Sequence, residues 1–190
     1  MKHRNSTLLE VLSELQALDR VPRIGFSLRG VAEPESVSEH AFHTAFVAWT
    51  LACEEPELDR LRVLELALVH DLAEVRTGDL PRNAAAYFPR GAKAQAELAI
   101  AQDLLAPLGD RAVERFAEYQ EQATREARFV KICDKLQLLI KASVYRSWGA
   151  RGMEEFQANL GTFSDGGYAS VAALVGQLEA ARSSQPANDA

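Results

Sequence analysis

Apolar residues in this chain recur every three or four positions, and that period decides what it can fold into. The longest such run covers residues 123–148, where Phe129, Ile132, Leu136, Leu139, Ile140 and Val144 fall on one stripe. A stripe of this period buries one side of an α-helix, whereas a half-buried strand needs alternation. The same spacing appears in Leu8, Leu9, Leu12, Leu15 and Leu18, preceded by Ser6 as the expected N-cap. Further helices are expected from Ser36 or Ser38 to about Cys53, over 59–73, 91–105 and 110–122, and more briefly over 152–160 and 167–181. Residues 20–34 contain Pro22, Gly25 and Gly30 and read as a loop. No run of alternating apolar residues bounded by turn signals stands out, so no sheet is expected. The expectation is an all-α bundle of six to eight helices in one domain over residues 1–182. The small, polar stretch SSQPANDA over 183–190 is expected to be a disordered tail.

Charge and cysteine usage narrow the partners. Asp and Glu number 27 against 21 Lys and Arg, a net charge of −6, so a basic face for long nucleic acid is not expected. A small anionic ligand is still compatible, because a few arginines or a metal can reverse the field inside a pocket. The two cysteines, Cys53 and Cys133, are far apart and form no CxxC, which fits a reducing cytoplasm. The most apolar stretch, 41–53, is interrupted by His43, Thr44 and Thr50 and is too short to span a bilayer. Neither export nor membrane insertion is expected.

Few residues carry chemistry. Of four histidines (His3, His40, His43 and His70), His40 follows SVSE at a helix start, and His70 precedes Asp71 at the end of a nearly all-apolar segment. A polar doublet there is costly to bury unless it is paired or bound to metal. Imidazole and carboxylate together suit Mn, Fe, Co, Ni or Zn. Glu74 lies four residues after His70 and shares its face if the helix continues. Asp134 interrupts the apolar stripe of KICDKLQLLI. Each residue also has a plainer reading. His40 could be polar packing, Glu74 a solvated face, and Asp134 a partner of Lys131 or Lys135. His43 reads as a core histidine or a support to the site, Cys133 as core and His3 as disordered. Arg23 and Arg29 read equally well as solvated loop charges.

Taken together, the order H…HD…D resembles the HD-domain superfamily of metal-dependent phosphohydrolases, which are all-helical. More closely it resembles the 5′-deoxynucleotidase branch, the YfbR-like and HDDC-type proteins. Three segments carry the likeness: LDRVPRIGFSLRGVAEPESVSEH, HDLAEVRTGDLP and KICDKLQLLIKA. The region after about Gly149 adds little to it. The resemblance implies that His40, His70, Asp71 and Asp134 hold one divalent transition metal, and that His40, Asp71 and Asp134 also border the substrate. It implies Glu74 as the acid that positions or activates the attacking water, and Arg20 as the arginine orienting the phosphate, with Arg23 a weaker candidate. Val21, Asp79, Leu80, Pro81 and Arg82 are the implied contacts around the sugar, with Asp79 a further catalytic candidate. Some members carry tryptophan where this chain has Val21. With no histidine after His70, one metal and a monoester substrate are expected rather than two metals and a cyclic dinucleotide. The implied activity is hydrolysis of (deoxy)nucleoside 5′-monophosphates by a homodimer. The alternatives are a related phosphohydrolase acting on another ester or a triphosphate, and a non-enzymatic module stapled by metal. The segment GTFSDGGYASVAALVGQLEA is expected to pack either on its own bundle or on a partner.

Overall fold

The computed structural model describes residues 6–184. Among them are eleven α-helical segments: α1 (Leu8–Leu15), α2 (Ile24–Ser27), α3 (Val37–Ala52), α4 (Arg60–Val69), α5 (Glu74–Thr77), α6 (Arg82–Ala85), α7 (Ala92–Leu104), α8 (Asp110–Glu121), α9 (Arg125–Ser147), α10 (Glu154–Ala158) and α11 (Ala169–Ser184). Three of these, α2, α5 and α6, are single turns of four residues. The eight longer helices match the expected bundle. Among the described residues no strand forms, and the one β-bridge, Pro22 with Ser36, is isolated.

Caps set where the helices start. Helix α1 begins at Thr7 rather than at Ser6, because Thr7 stands three residues before Glu10 and closes a capping box. The Thr7 N–H donates to Glu10 Oε2 (2.8 Å) and the Glu10 N–H to Thr7 Oγ1 (3.2 Å). Ser36 and Glu39 form the same box at the start of α3 (2.7 and 3.2 Å). Asp59 caps α4, and Thr124 caps α9.

The core lies where α3, α4 and α9 pack together, with α8 and α11 against them. Ala48, Val63, Leu66, Phe129, Val130, Leu136 and Val171 are fully buried there. Leu174, Val175 and Leu178 of α11 pack on the bundle, so the C-terminal segment covers its own protein. Helix α11 runs two residues beyond 182, while residues 185–190 and His3 lie outside the described residues. A second cluster, with Phe26, Tyr145, Met153 and Phe156, ties the 20–34 loop and α10 to the end of α9. That loop is ordered as a 3-10 turn (Gln16–Arg20) and α2, and it is clamped to α3 by Arg23 N–H to Glu35 O (2.9 Å) and Val37 N–H to Val21 O (2.8 Å).

One expected helix is broken. The 59–73 segment ends its α-helix at Val69, and residues 70–73 continue in turns. His70 Nδ1 lies 2.7 Å from the Ala67 carbonyl, the group that a continuing helix would pair with the Asp71 N–H. The chain then tightens through Leu72 N–H to Val69 O (3.2 Å) and Glu74 N–H to Asp71 O (3.0 Å). Glu74 still reaches the side of the site, on the next single turn.

Candidate active site

Three central helices each present polar groups to one point in an otherwise apolar core. They are His40 from the first turn of α3, His70 and Asp71 from the end of α4, and Asp134 from the middle of α9. His40 and His70 are buried. Donor atoms of His40, His70 and Asp71 lie within 4.8 Å of one another. His70 Nε2 is 3.4 Å from His40 Nε2 and 3.2 Å from Asp71 Oδ2. His40 Nε2 is 3.5 Å from Asp71 Oδ2 and 3.1 Å from Asp134 Oδ1.

The chemistry of this donor set can be read from its partners. The Ala67 carbonyl only accepts, so His70 Nδ1 carries a proton and the neutral ring aims a lone pair from Nε2. His40 Nδ1 faces the Gln137 Oε1 oxygen at 2.6 Å, so its Nε2 is likewise a lone pair. Two imidazole lone pairs and two carboxylates therefore converge in a buried space, and only a cation or captured protons can satisfy them. A divalent transition metal fits that set of nitrogen and oxygen donors. Without one, burial disfavours charge on His70, but the adjacent Asp71 outweighs burial and holds the imidazolium above the usual histidine range. Burial opposes ionisation of Asp71 and Asp134 too, yet His70 keeps the first, and Lys131 with His40 the second, well below the usual carboxylate range.

Asp134 pairs with Lys131, one of the partners expected for it, and also faces His40. Its Oδ2 accepts from Lys131 Nζ (2.8 Å) and the Tyr119 hydroxyl (3.1 Å), which leaves Oδ1 facing His40. Glu74 is not on a solvated face. It is 3% exposed, with Oε1 3.5 Å from Lys93 Nζ and Oε2 buried without a hydrogen-bond partner.

A cavity of about 910 Å³ opens onto the cluster and is lined by Asp71, Glu74 and Asp134 together with Arg23, Arg29, Lys93 and Lys131. Asp79 and Glu155 line it too, so four cations stand among five acids, and a bound divalent cation would tip the balance toward an anion. The arginine expected at the phosphate is Arg20. Arg20 is exposed at the end of its 3-10 turn and does not line the cavity, whereas Arg23 does. Arg23 Nη1 donates to Asp79 Oδ1 (3.0 Å) and lies 3.8 Å from Asp71 Oδ2, and its Nε is buried and unpartnered. Asp79 is fully engaged. Its Oδ2 accepts from the Ile24 N–H (2.7 Å), so it holds Arg23 and the start of α2 at the cavity wall.

Leu80 and Pro81 line the cavity as expected. Val21 does not; its backbone serves the clamp to α3. The Arg82 side chain lies outside the described ones. His43 is exposed, stacked edge-on against Phe42 (5.3 Å), because the inward stripe of α3 runs through His40, Thr44 and Ala48. Cys133 is buried in the core.

Sequence reasoning missed Lys93 and Lys131 as cavity cations, and Phe26, Phe156 and Asn159 as walls. Phe156 lies under the Arg29 guanidinium (4.4 Å to the ring centroid), so the region after Gly149 does contribute. It also missed Glu35 and Gln137 beside His40. Gln137, a polar residue three places after Asp134 within the apolar stripe of α9, was the available signal.

Residues 15–170 match the HD domain family. The human 5′-deoxynucleotidase HDDC2 is 34% identical over 188 residues, covering 95% of this chain and 89% of that protein. The 5′-deoxynucleotidase hdd1 of Schizosaccharomyces pombe is 30% identical over 149 residues, covering 75% of this chain and 74% of its own. A conserved hypothetical protein from Pyrococcus furiosus superposes with a TM-score of 0.78 at 30% identity, covering 90% of this chain and 99% of that one. The helical bundle, the buried His/Asp cluster and these likenesses agree: the chain belongs to the HD-domain family.

Proposed function

We propose that this protein is a metal-dependent phosphomonoesterase that hydrolyses (deoxy)nucleoside 5′-monophosphates to nucleoside and phosphate. The observation that carries the reading is the meeting, in one cavity, of a buried His/Asp donor set, a buried carboxyl and four cations. The names of the relatives, 5′-deoxynucleotidases, support the substrate class.

His40, His70, Asp71 and Asp134 would hold a single divalent transition metal: Mn, Co, Zn, Fe or Ni. Such an ion, when bound, supplies Lewis acidity toward a phosphate oxygen and lowers the pKa of water at the site. Arg23 presents a planar fork to the phosphate, pre-aimed by Asp79. Lys93 and Lys131 add positive charge on the cavity wall. Glu74, buried beside Asp71 and with one oxygen free, would accept the proton of the attacking water once a bound cation offsets the burial and the Asp71 charge that keep it protonated. The water oxygen bonds to phosphorus as the bond to the 5′ oxygen breaks, and the leaving oxygen is protonated in turn. Leu80, Pro81, Phe26 and Phe156 would enclose the nucleoside.

Phosphate release from 5′-mono-, di- and triphosphates, each with Mn, Co, Zn and Mg in turn, tests the assignment. Release from monophosphates is expected, and a rate confined to triphosphates would overturn it.

A homodimer is part of the same proposal. Phe42, Phe46 and Trp49 lie on one side of α3 and are 64%, 56% and 47% exposed, an apolar stripe that a second copy would cover. A cytoplasmic setting is supported by two free cysteines, one of them exposed. Among the described residues no helix is long and apolar enough to cross a membrane.

A further inference from the structure

His40 is fully buried, and behind it lies a chain of polar groups that the proposed reaction does not use. His40 Nδ1 faces Gln137 Oε1 at 2.6 Å, Gln137 Nε2 donates to Glu35 Oε2 at 3.0 Å, and Lys141 Nζ stands 3.5 Å from that same oxygen. Gln137 and Glu35 are each 2% exposed. The second Glu35 oxygen has no hydrogen-bond partner and sits 3.8 Å from His40 Nδ1. Burying a carboxylate in this way costs stability that an apolar side chain would not. Its place therefore calls for an explanation in what it does.

We infer that Glu35 and Gln137 are positioning residues that fix the His40 tautomer and thereby set the affinity of the site for a divalent transition metal. The inference rests on the metal reading above. An amide can present either end to an imidazole: its oxygen fixes the proton on Nδ1, while its NH₂ would move that proton to Nε2. A carboxylate only accepts, so Glu35 compels Gln137 to turn its NH₂ away from His40 and its oxygen toward it. Nδ1 must then hold the proton, and Nε2 is left as a lone pair toward His70, Asp71 and Asp134. His70 reaches the same state more directly, through the backbone carbonyl of Ala67. A backbone carbonyl cannot flip but an amide can, which is why only the His40 side needs a charged residue behind it. Groups behind a ligating histidine commonly tune metal affinity in this way.

The test uses full-length protein stripped of metal, titrated calorimetrically with Mn(II) or Co(II) alone, with metal-free melting as a check on folding. Glu35→Gln, whose amide can pair with Gln137 in either sense, and Gln137→Met, which removes the acceptor, should each weaken metal binding about ten- to a hundredfold. The double exchange Glu35→Gln with Gln137→Glu restores a fixed acceptor against His40 Nδ1 at unchanged charge, with the amide at 35 now donating to the carboxylate at 137. It should recover binding to within about threefold of the original chain. It also answers the case in which a single variant fails to fold. Unmoved metal affinity in folded single variants, or no recovery in the folded double exchange, would overturn the inference while leaving the metal reading intact. An original chain that binds neither metal would overturn the metal reading and this inference with it.

Discussion

Glu74 shows how the environment of one side chain yields a measurable consequence. Burial first, then the charges of Asp71 and Asp79, pushes its carboxyl from the ordinary 4.5 up to about 9 in the protein without a cation. Across that window the folded chain keeps a proton that the unfolded chain releases. The stability tied to this group is full below 4.5 and is lost as pH climbs toward about 9. His70, held above 6.5, contributes in the same direction. The melting temperature of metal-free protein should therefore fall as pH is raised through this range, and Glu74→Gln should reduce the slope. An unchanged slope would contradict the assignment. With metal restored, Glu74→Gln should lower kcat about 10²- to 10⁴-fold while metal content is kept. Arginine substitutions separate resemblance from geometry. Arg23→Lys should lower kcat/KM about ten- to a hundredfold, from the roughly 1.5–3 kcal/mol of a charged hydrogen bond. Arg20→Ala, outside the cavity, should leave it within about twofold. The opposite pattern in steady-state kinetics would return the phosphate to Arg20.

At the scale of elements, periodicity could locate the long helices because each buries a stripe. Their ends were set by capping residues, so the exchange of Ser6 for Thr7 shifted α1 by a single residue. The break after Val69 was harder to see. A side chain, His70, bonds a backbone carbonyl there, and no propensity reports such a bond. The His/Asp cluster stood out through the order H…HD…D and the family it resembles, because each acid or histidine inside an apolar stripe also had a plainer reading. Arg23 did not, since a loop rich in arginine, proline and glycine has no period and only the fold shows which guanidinium turns inward. Gly78 is a further element-scale feature. It ends α5 at φ 71° and ψ 168°, a conformation nearly closed to other residues, and delivers Asp79 to Arg23. An added Cβ would meet no atom within 4 Å, so Gly78→Ala is a test of backbone conformation alone. It should cost roughly 1–3 kcal/mol in denaturant unfolding, and no loss would contradict the argument.

For the whole molecule, the cavity brings charges of both signs together. A chain of net charge −6 sets Arg23, Arg29, Lys93 and Lys131 among five acids around one hollow, so a small anion would enter once a divalent cation offsets those acids, while long polyanions are repelled. The exposed aromatic stripe of α3 belongs to the same scale. Light scattering should give about twice the 20.9 kDa chain mass, and Phe46→Glu should return it to a single chain. A monomer before substitution would remove the proposed dimer without touching the active site. We propose that one metal, held by His40, His70, Asp71 and Asp134, makes this protein a 5′-monophosphatase. The most direct measurement is phosphate release from a deoxynucleoside 5′-monophosphate by chelator-stripped protein, repeated as Mn(II) or Co(II) is added back. No release is expected from stripped protein, and full recovery at one equivalent per chain. Undiminished release without metal, or recovery only at two equivalents, would contradict it.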